Sequence, residues 1–278
     1  MPELPEVDMR RLYLEATSLN QPIDSITVED SKLLTTDLST LQESLYQRQF
    51  IGTKRVGKNL FIYTDDPATI VRMHFGMTGD LVYFHHSLDR PRHVRIVFYF
   101  KNGFCLGFVC PRKFERVGLV SDIDMYLKLK KIAPDALSID VGTLSGKLKK
   151  RRSPIKPVLL DQATTAGLGN WIVDEVLFQA RVHPASVSAE LTDEAIQAIH
   201  DAIHFVLETA ISKEASYKDF PLSFLIHARQ WDTSPYEDPE AHKFCPRCGT
   251  SIDVIEVAGR TTYFCPKEQV LFSSITLP

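Results

Sequence analysis

The chain begins Met1-Pro2-Glu3-Leu4-Pro5-Glu6, so loss of Met1 would leave a proline secondary amine at the N-terminus with two carboxylates close in sequence. An α-amino group titrates near about 7.7 to 8.0, which makes a useful fraction of free base available at neutral pH. Such an amine attacks electrophilic carbon and leaves a positively charged iminium, the Schiff-base route to a covalent intermediate. Glu3 is placed to give or take the proton that this attack requires. The same six residues also fit a helix entry, in which the prolines stiffen an arm and Glu3 and Glu6 sit at the positive end of the helix dipole.

Five further groups have chemical potential. Cys245-Pro-Arg-Cys248, then sixteen residues, then Cys265-Pro-Lys-Glu268 has zinc-ribbon spacing, with a carboxylate where the fourth cysteine would stand. Three thiolates and the Glu268 oxygen can make a tetrahedral zinc site; the alternative is a zinc-less hairpin held by apolar contacts. Lys147, Lys149, Lys150, Arg151, Arg152 and Lys156 form a basic run without an acid, suited to neutralising phosphates or to a solvated linker. Gly167-Leu168-Gly169-Asn170 precedes a helical segment and fits either a phosphate-binding helix start or a plain turn. Met77 in His74-Phe75-Gly76-Met77-Thr78-Gly79, with Arg112 and Phe114 in Pro111-Arg112-Lys113-Phe114, fits a wedge that fills the gap left by an extruded nucleotide, or else ordinary core packing. Lys58 lies in a turn between two strands, either solvated or facing a phosphate at an active-site rim, and Cys110 reads as a small buried side chain.

The elements that must position these groups fall into two halves. Residues 5–18 read as a helix with Val7, Leu12, Leu14 and Ala16 apolar and Arg10 and Arg11 outward. Short β-branched or aromatic runs follow at 26–28, 50–56, 60–63, 69–75, 81–84, 93–100 and 104–109, and Asn102-Gly103 joins the last two as a hairpin. Seven short strands predict a sandwich or barrel. From residue 122 the pattern turns helical, with segments at 122–132, 157–165 and 170–180. The clearest helix spans 192–213, with Thr192 as N-cap and Ile196, Ile199, Ile203, Val206 and Ala210 on one face. The expected division is 1–132, a basic linker at 133–153, a helical domain at 154–240 and the cysteine unit at 241–278.

Composition narrows the class. With 278 residues, 44% hydrophobic, the chain is long enough for two cores, and no apolar run approaches the roughly 20 residues of a membrane span. The start shows no basic region followed by an apolar stretch, so a cytoplasmic, nucleoid-associated protein is expected. A net charge of −3 leaves a polyanion partner dependent on segregated basic residues.

Together these segments resemble the formamidopyrimidine-DNA glycosylase and endonuclease VIII family. The resemblance rests on Pro2 to Val7, Gly57-Lys58, His74 to Gly79, Pro111 to Phe114, Leu160-Asp161-Gln162 through Asn170 to Asp174-Glu175, and Gly259-Arg260-Thr261-Thr262. It implies an α+β fold: an N-terminal helix plus an antiparallel β-sandwich, then a helix-two-turns-helix domain with a C-terminal zinc-finger-like β-hairpin. It also implies a monomeric enzyme that acts on double-stranded DNA containing damaged bases or abasic sites. Processed Pro2 would attack C1′, Glu3 would protonate the opening sugar, Lys58 would act at the phosphate and Glu6 would order the site. Asn170 and Arg260 would grip phosphates, with Lys156 in the DNA-binding set, while Met77, Arg112 and Phe114 would fill the vacated space. The Pro-Arg-Lys-Phe loop resembles the purine-directed branch. Three departures stand out: Glu268 replaces the last cysteine, Cys110 stands where the family pattern has an acid, and the segment from about Ser212 to Leu222 is short. The last directs the lesion range toward ring-opened purines or hydantoins. A non-catalytic binder of damaged DNA is the alternative, and a metal-ribbon RNA-binding protein leaves the N-terminal residues unexplained.

Overall fold

The computed structural model describes residues 2–88, 90–229 and 244–273, and the chain divides into two compact units, 1–130 and 131–278. The boundary expected between 154–240 and 241–278 lies outside the described residues.

In the first unit, α1 (Leu4–Ser18) precedes β1 (Ile23–Val28), α2 (Leu38–Leu45), β2 (Phe50–Val56), β3 (Asn59–Thr64), β4 (Ile70–His74), β5 (Asp80–His85), β6 (Val94–Phe100), β7 (Phe104–Val109), β8 (Arg116–Val120) and α3 (Ile123–Leu129). The strands form two antiparallel sheets, ordered β1-β6-β7-β5 and β2-β3-β4-β8. Phe50, Leu60, Ile62, Met73, Phe75, Ile96, Phe98 and Phe108 bury their side chains in one shared core. Phe50 meets Phe98 edge-on at 5.7 Å and Phe75 meets Phe108 at 5.3 Å, the ring geometry that aromatic quadrupoles favour. On α1 the expected apolar stripe is narrower: Val7 and Leu14 are buried, but Leu12 and Ala16 face solvent. Arg10 and Arg11 lie partly buried in ion pairs with Asp80 and with Asp8 and Glu15.

The second unit contains α4 (Val141–Leu148), α5 (Ile155–Leu160), α6 (Asn170–Gln179), α7 (Asp193–Ser212) and the hairpin β9 (Asp253–Val257) to β10 (Arg260–Phe264). Thr192 Oγ1 accepts from Ala195 N at 3.2 Å to cap α7, and the five apolar residues of its face are buried. The segment 133–153, expected as a basic linker, instead carries α4, which Asp140 caps and which packs against α7 through the fully buried Leu144 and Leu148. Its cations are also partly spoken for: Lys149 pairs with Asp193, Arg151 with Asp161, and Lys147 donates to Ala163 O. No helix among the described residues is long and apolar enough to cross a membrane.

Candidate catalytic and nucleic-acid-binding residues

In the first unit the N-terminal residues are held by a reciprocal cap. Glu3 is the N-cap of α1 and its side chain accepts from the Glu6 backbone N–H, while Glu6 Oε2 accepts from Glu3 N at 2.9 Å. Glu3 is only 3% exposed, and Pro2 beside it is buried. The helix-entry reading is therefore realised, and the same cap fixes a carboxylate one residue from the Pro2 nitrogen. Further along α1, Asp8 accepts from Arg55 Nε at 3.3 Å, and Arg55 Nη1 donates to Gly57 O at 3.1 Å. Gly57, at φ +57°, makes the tight β2–β3 turn that carries half-buried Lys58. Two side chains thus tie the first turns of the helix to the lysine turn.

Beside that turn, register places Asn59 opposite His74 and His74 opposite Arg116. Burial pushes the His74 imidazole down to about 4, helped by the charges of Arg72, Lys58 and Arg116. The ring is neutral at physiological pH. Its Nδ1 accepts from Gly76 N at 3.1 Å, which assigns the proton to Nε2 as a donor. A neutral donor among three cations suits an anionic ligand. The motif at 74–79 by itself gives His74 no role; its place one residue before a Phe-Gly turn, with Arg72 two residues back, is the signal in the sequence.

Met77 is 38% and Phe114 52% exposed, so neither is core, and Arg112 lies 5.3 Å over the Phe114 ring. The turn at 75–79 and the loop at 110–115 touch through backbone: a Cβ on Gly76 would meet Phe114 C at 2.7 Å. Lys113, at φ +57°, anchors the loop from the other side by pairing with Asp30 at 2.8 Å. Cys110 is fully buried, and burial first, then the Glu115 charge, push its thiol up to about 12.

In the second unit, Asn170 opens α6 after Gly167, whose φ of +114° makes the preceding turn. Its Nδ2 donates to Thr261 O at 3.2 Å, one residue from Arg260, whose exposed side chain follows the left-handed residues Ala258 and Gly259 at the β9–β10 turn. The structure therefore holds the Asn170 side chain on the hairpin residue next to Arg260. Lys156 is a correction. It is fully buried, and its Nζ meets Asp174 Oδ1 at 2.7 Å, Thr262 Oγ1 at 2.8 Å and Thr261 O at 2.9 Å. An ammonium in that cage touches no phosphate; it fastens the hairpin to α5 and α6. Arg229, also buried, completes the group at 3.4 Å from Asp174 Oδ2 and 4.9 Å over the Tyr263 ring. Sequence reasoning missed this network because its members lie up to 106 residues apart.

The Sγ atoms of Cys245, Cys248 and Cys265 lie within 4.8 Å of one another. Three thiols this close suit a soft divalent ion such as zinc. Glu268 does not join them: its carboxylate turns to Arg181 at 3.7 Å, which corrects the expected four-ligand set. Backbone amides of Lys267 and Glu268 point at Cys265, so position 268 contributes through its main chain. The cluster also packs with Phe178, Leu225 and Ile252, as a hairpin needing less help from metal would.

Comparison with known proteins agrees with both units. Residues 1–117 match the formamidopyrimidine-DNA glycosylase N-terminal domain, 132–220 the formamidopyrimidine-DNA glycosylase H2TH domain, and 243–267 the zinc finger found in FPG and IleRS. The chain is 36% identical over 274 residues to the formamidopyrimidine-DNA glycosylase of Streptococcus pneumoniae, covering 97% of this chain and 99% of that one. It is 30% identical to the Arabidopsis thaliana protein of the same name, covering 98% and 72%. Among solved structures it is similar to Lactococcus lactis formamidopyrimidine-DNA glycosylase bound to DNA with an abasic site, with a TM-score of 0.85, 32% identity and coverage of 96% and 99%. It is also similar to MutM in complex with DNA containing carbocyclic 8-oxoG, with a TM-score of 0.86, 32% identity and coverage of 97% and 100%. With this identity across nearly the full length and all three domain types in order, the chain belongs to the formamidopyrimidine-DNA glycosylase family.

Proposed function

We propose that this chain is a bifunctional DNA glycosylase and abasic-site lyase that removes oxidised or ring-opened purines from double-stranded DNA. The observation that carries the proposal is the capping box holding Glu3 beside Pro2 at the head of α1. The names of the relatives, and the abasic and 8-oxoG duplexes in the similar structures, support the substrate class.

Once Met1 is gone, the Pro2 nitrogen lone pair attacks C1′ and the N-glycosidic bond breaks, its electron pair leaving with the base, which takes up the proton that the nitrogen loses. Glu3 supplies a proton as the sugar ring opens, and the new C1′–N bond becomes an iminium. That cation acidifies the adjacent C2′–H, so the 3′ phosphate and then the 5′ phosphate leave by β- and δ-elimination. Hydrolysis of the iminium returns the free amine. Lys58, beside neutral His74 and the Arg72 and Arg116 charges, addresses a phosphate at the lesion. Asn170 and Arg260 of the second unit grip phosphates of the duplex, and Met77, Arg112 and Phe114 occupy the space left by the everted nucleotide. Zinc, when bound by Cys245, Cys248 and Cys265, would tie the two cysteine-bearing arms of the hairpin unit.

After α7 the chain turns at Lys213–Ala215 and packs Phe220 against Trp171 at 5.7 Å. Lesion choice is assigned to this segment, with ring-opened purines and hydantoins as candidates beside 8-oxoguanine. A panel of duplexes bearing each lesion tests the assignment. Base release with strand products carrying phosphate at both ends supports it; retention on abasic DNA without cleavage favours a non-catalytic binder.

A further inference from the structure

Glu115 is fully buried, immediately after the exposed Phe114. Its Oε1 accepts from Thr78 Oγ1 at 3.3 Å, and its Oε2 has no hydrogen-bond partner among the described residues. A buried carboxylate so sparsely satisfied is costly, and a hydrophobic side chain would fill the same space without that cost. What the carboxylate does that an apolar group cannot is hold Thr78, the residue after Met77.

The surroundings are built around this contact. A Cβ on Gly79 would meet Glu115 Cγ at 2.7 Å and Phe75 O at 2.5 Å, and one on Gly76 would meet Glu115 N at 2.8 Å. Both glycines of the 75–79 turn thus leave room for Glu115 and its backbone. From the helix side, Arg10 Nε donates to Gly79 O at 3.0 Å while Arg10 Nη1 donates to Glu6 O at 2.8 Å. The turn is therefore gripped on one side by α1, which carries Glu3, and on the other by Glu115. The loop is thus buried at both ends, at Cys110 and at Glu115, and the carboxylate is at the end next to Phe114.

We propose that Glu115 is a positioning residue, whose bond to Thr78 locks the Met77 turn to the Arg112–Phe114 loop so that the three side chains enter the duplex as one unit. The inference rests on the glycosylase reading of those side chains. It predicts a defect in lesion eversion and base release, with abasic-site cleavage spared, because an abasic nucleotide has no base to evert.

The test uses the full chain with Met1 removal verified by mass, in wild-type, Glu115→Ala, Glu115→Gln and Thr78→Val forms. Each is given a duplex with a ring-opened guanine and one with a preformed abasic site, both with 2-aminopurine beside the estranged position. Glu115→Ala and Thr78→Val should release the base about tenfold slower or worse, with a smaller 2-aminopurine signal, as expected when reacting or wedging groups are misplaced by a fraction of an ångström to an ångström. Abasic-site cleavage should stay within about twofold, and Glu115→Gln, which keeps an acceptor for Thr78, within about threefold of wild type. Hydrogen exchange at residues 75–79 and 112–116 should quicken in Glu115→Ala and stay slow in Glu115→Gln. Wild-type base release by Glu115→Ala, equal losses in the Gln and Ala forms, or a parallel fall in abasic-site cleavage would overturn the proposal. Wild type inactive on both duplexes would instead contradict the glycosylase reading, and the exchange comparison would still decide whether Glu115 clamps the loops.

Discussion

Replacing Lys156 with methionine separates a buried tether from a phosphate contact. Methionine matches the stem of lysine and removes the ammonium, which meets Asp174 at 2.7 Å, Thr262 at 2.8 Å and Thr261 at 2.9 Å. Breaking a buried pair from one side costs about 3–5 kcal/mol. Asp174 keeps Arg229 at 3.4 Å and Thr261 O keeps Asn170, so the loss belongs at the lower end, about 3 kcal/mol. Denaturant unfolding of the full chain, with amide exchange on β10 to localise the effect, measures it. Binding to an abasic duplex over a range of salt supplies the second axis. A residue that contacts a phosphate contributes about 0.9 to the slope of log K against log salt. Lys156→Met should leave that slope unchanged, whereas exposed Arg260→Gln should lower it by about 0.9 at a stability cost within about 0.5 kcal/mol. If Lys156→Met folds as stably as wild type and lowers the slope, the ammonium lies on the DNA and the caged geometry is wrong.

Three other perturbations follow from the same contacts. Burial pushes the Glu175 carboxyl from 4.5 up to about 7, despite Gln179 and the amides of Leu225 and Ile226 pulling the other way. Because the folded value is the higher, its contribution is complete below about pH 4.5 and is lost as pH rises through about 7, a span worth about 3 kcal/mol. Unfolding free energies at pH 4 and 8 should therefore converge or cross in favour of Glu175→Gln by about that amount, and parallel pH profiles would contradict it. Whole-protein metal analysis should find zinc lost in Cys265→Ser and retained in Glu268→Gln, since the Glu268 carboxylate faces Arg181; loss in both would make Glu268 a ligand. Gly79→Ala should lower stability by about 1–3 kcal/mol in thermal unfolding, because its Cβ would meet Phe75 O at 2.5 Å, and an unchanged melting temperature would refute that close approach.

Local signals were legible where one residue type dictates geometry. Thr192 and the stripe from Ile196 to Ala210 gave α7, and Asn102-Gly103 gave the β6–β7 hairpin. Helix α2 was not anticipated, because Leu41 and Leu45 are its only buried residues within a polar run. Strand β8 was missed as well: it is short, and Gly118 inside it makes room for Thr35, whose Oγ1 would lie 2.0 Å from an added Cβ. The basic run concealed α4 because charge dominated the reading while Leu144 and Leu148 carried the packing. For the site, residues defined by a local turn, such as Lys58 and Asn170, were named from sequence. Lys156, Glu115 and Glu268 were misread or passed over because their partners Asp174, Thr78 and Arg181 are 18, 37 and 87 residues away, which only the fold reveals.

The central claim is that the Pro2 nitrogen is the nucleophile. Borohydride reduction during reaction with an abasic duplex, followed by peptide mapping of any protein–DNA adduct, tests it directly on two full-length forms, one with Met1 removed and one retaining it. The processed form should yield one adduct on the Pro2 nitrogen, while the form with Met1, whose Pro2 nitrogen is an amide, should bind the duplex and trap nothing. An adduct on a lysine, equal trapping by both forms, or none from the processed form would contradict the account.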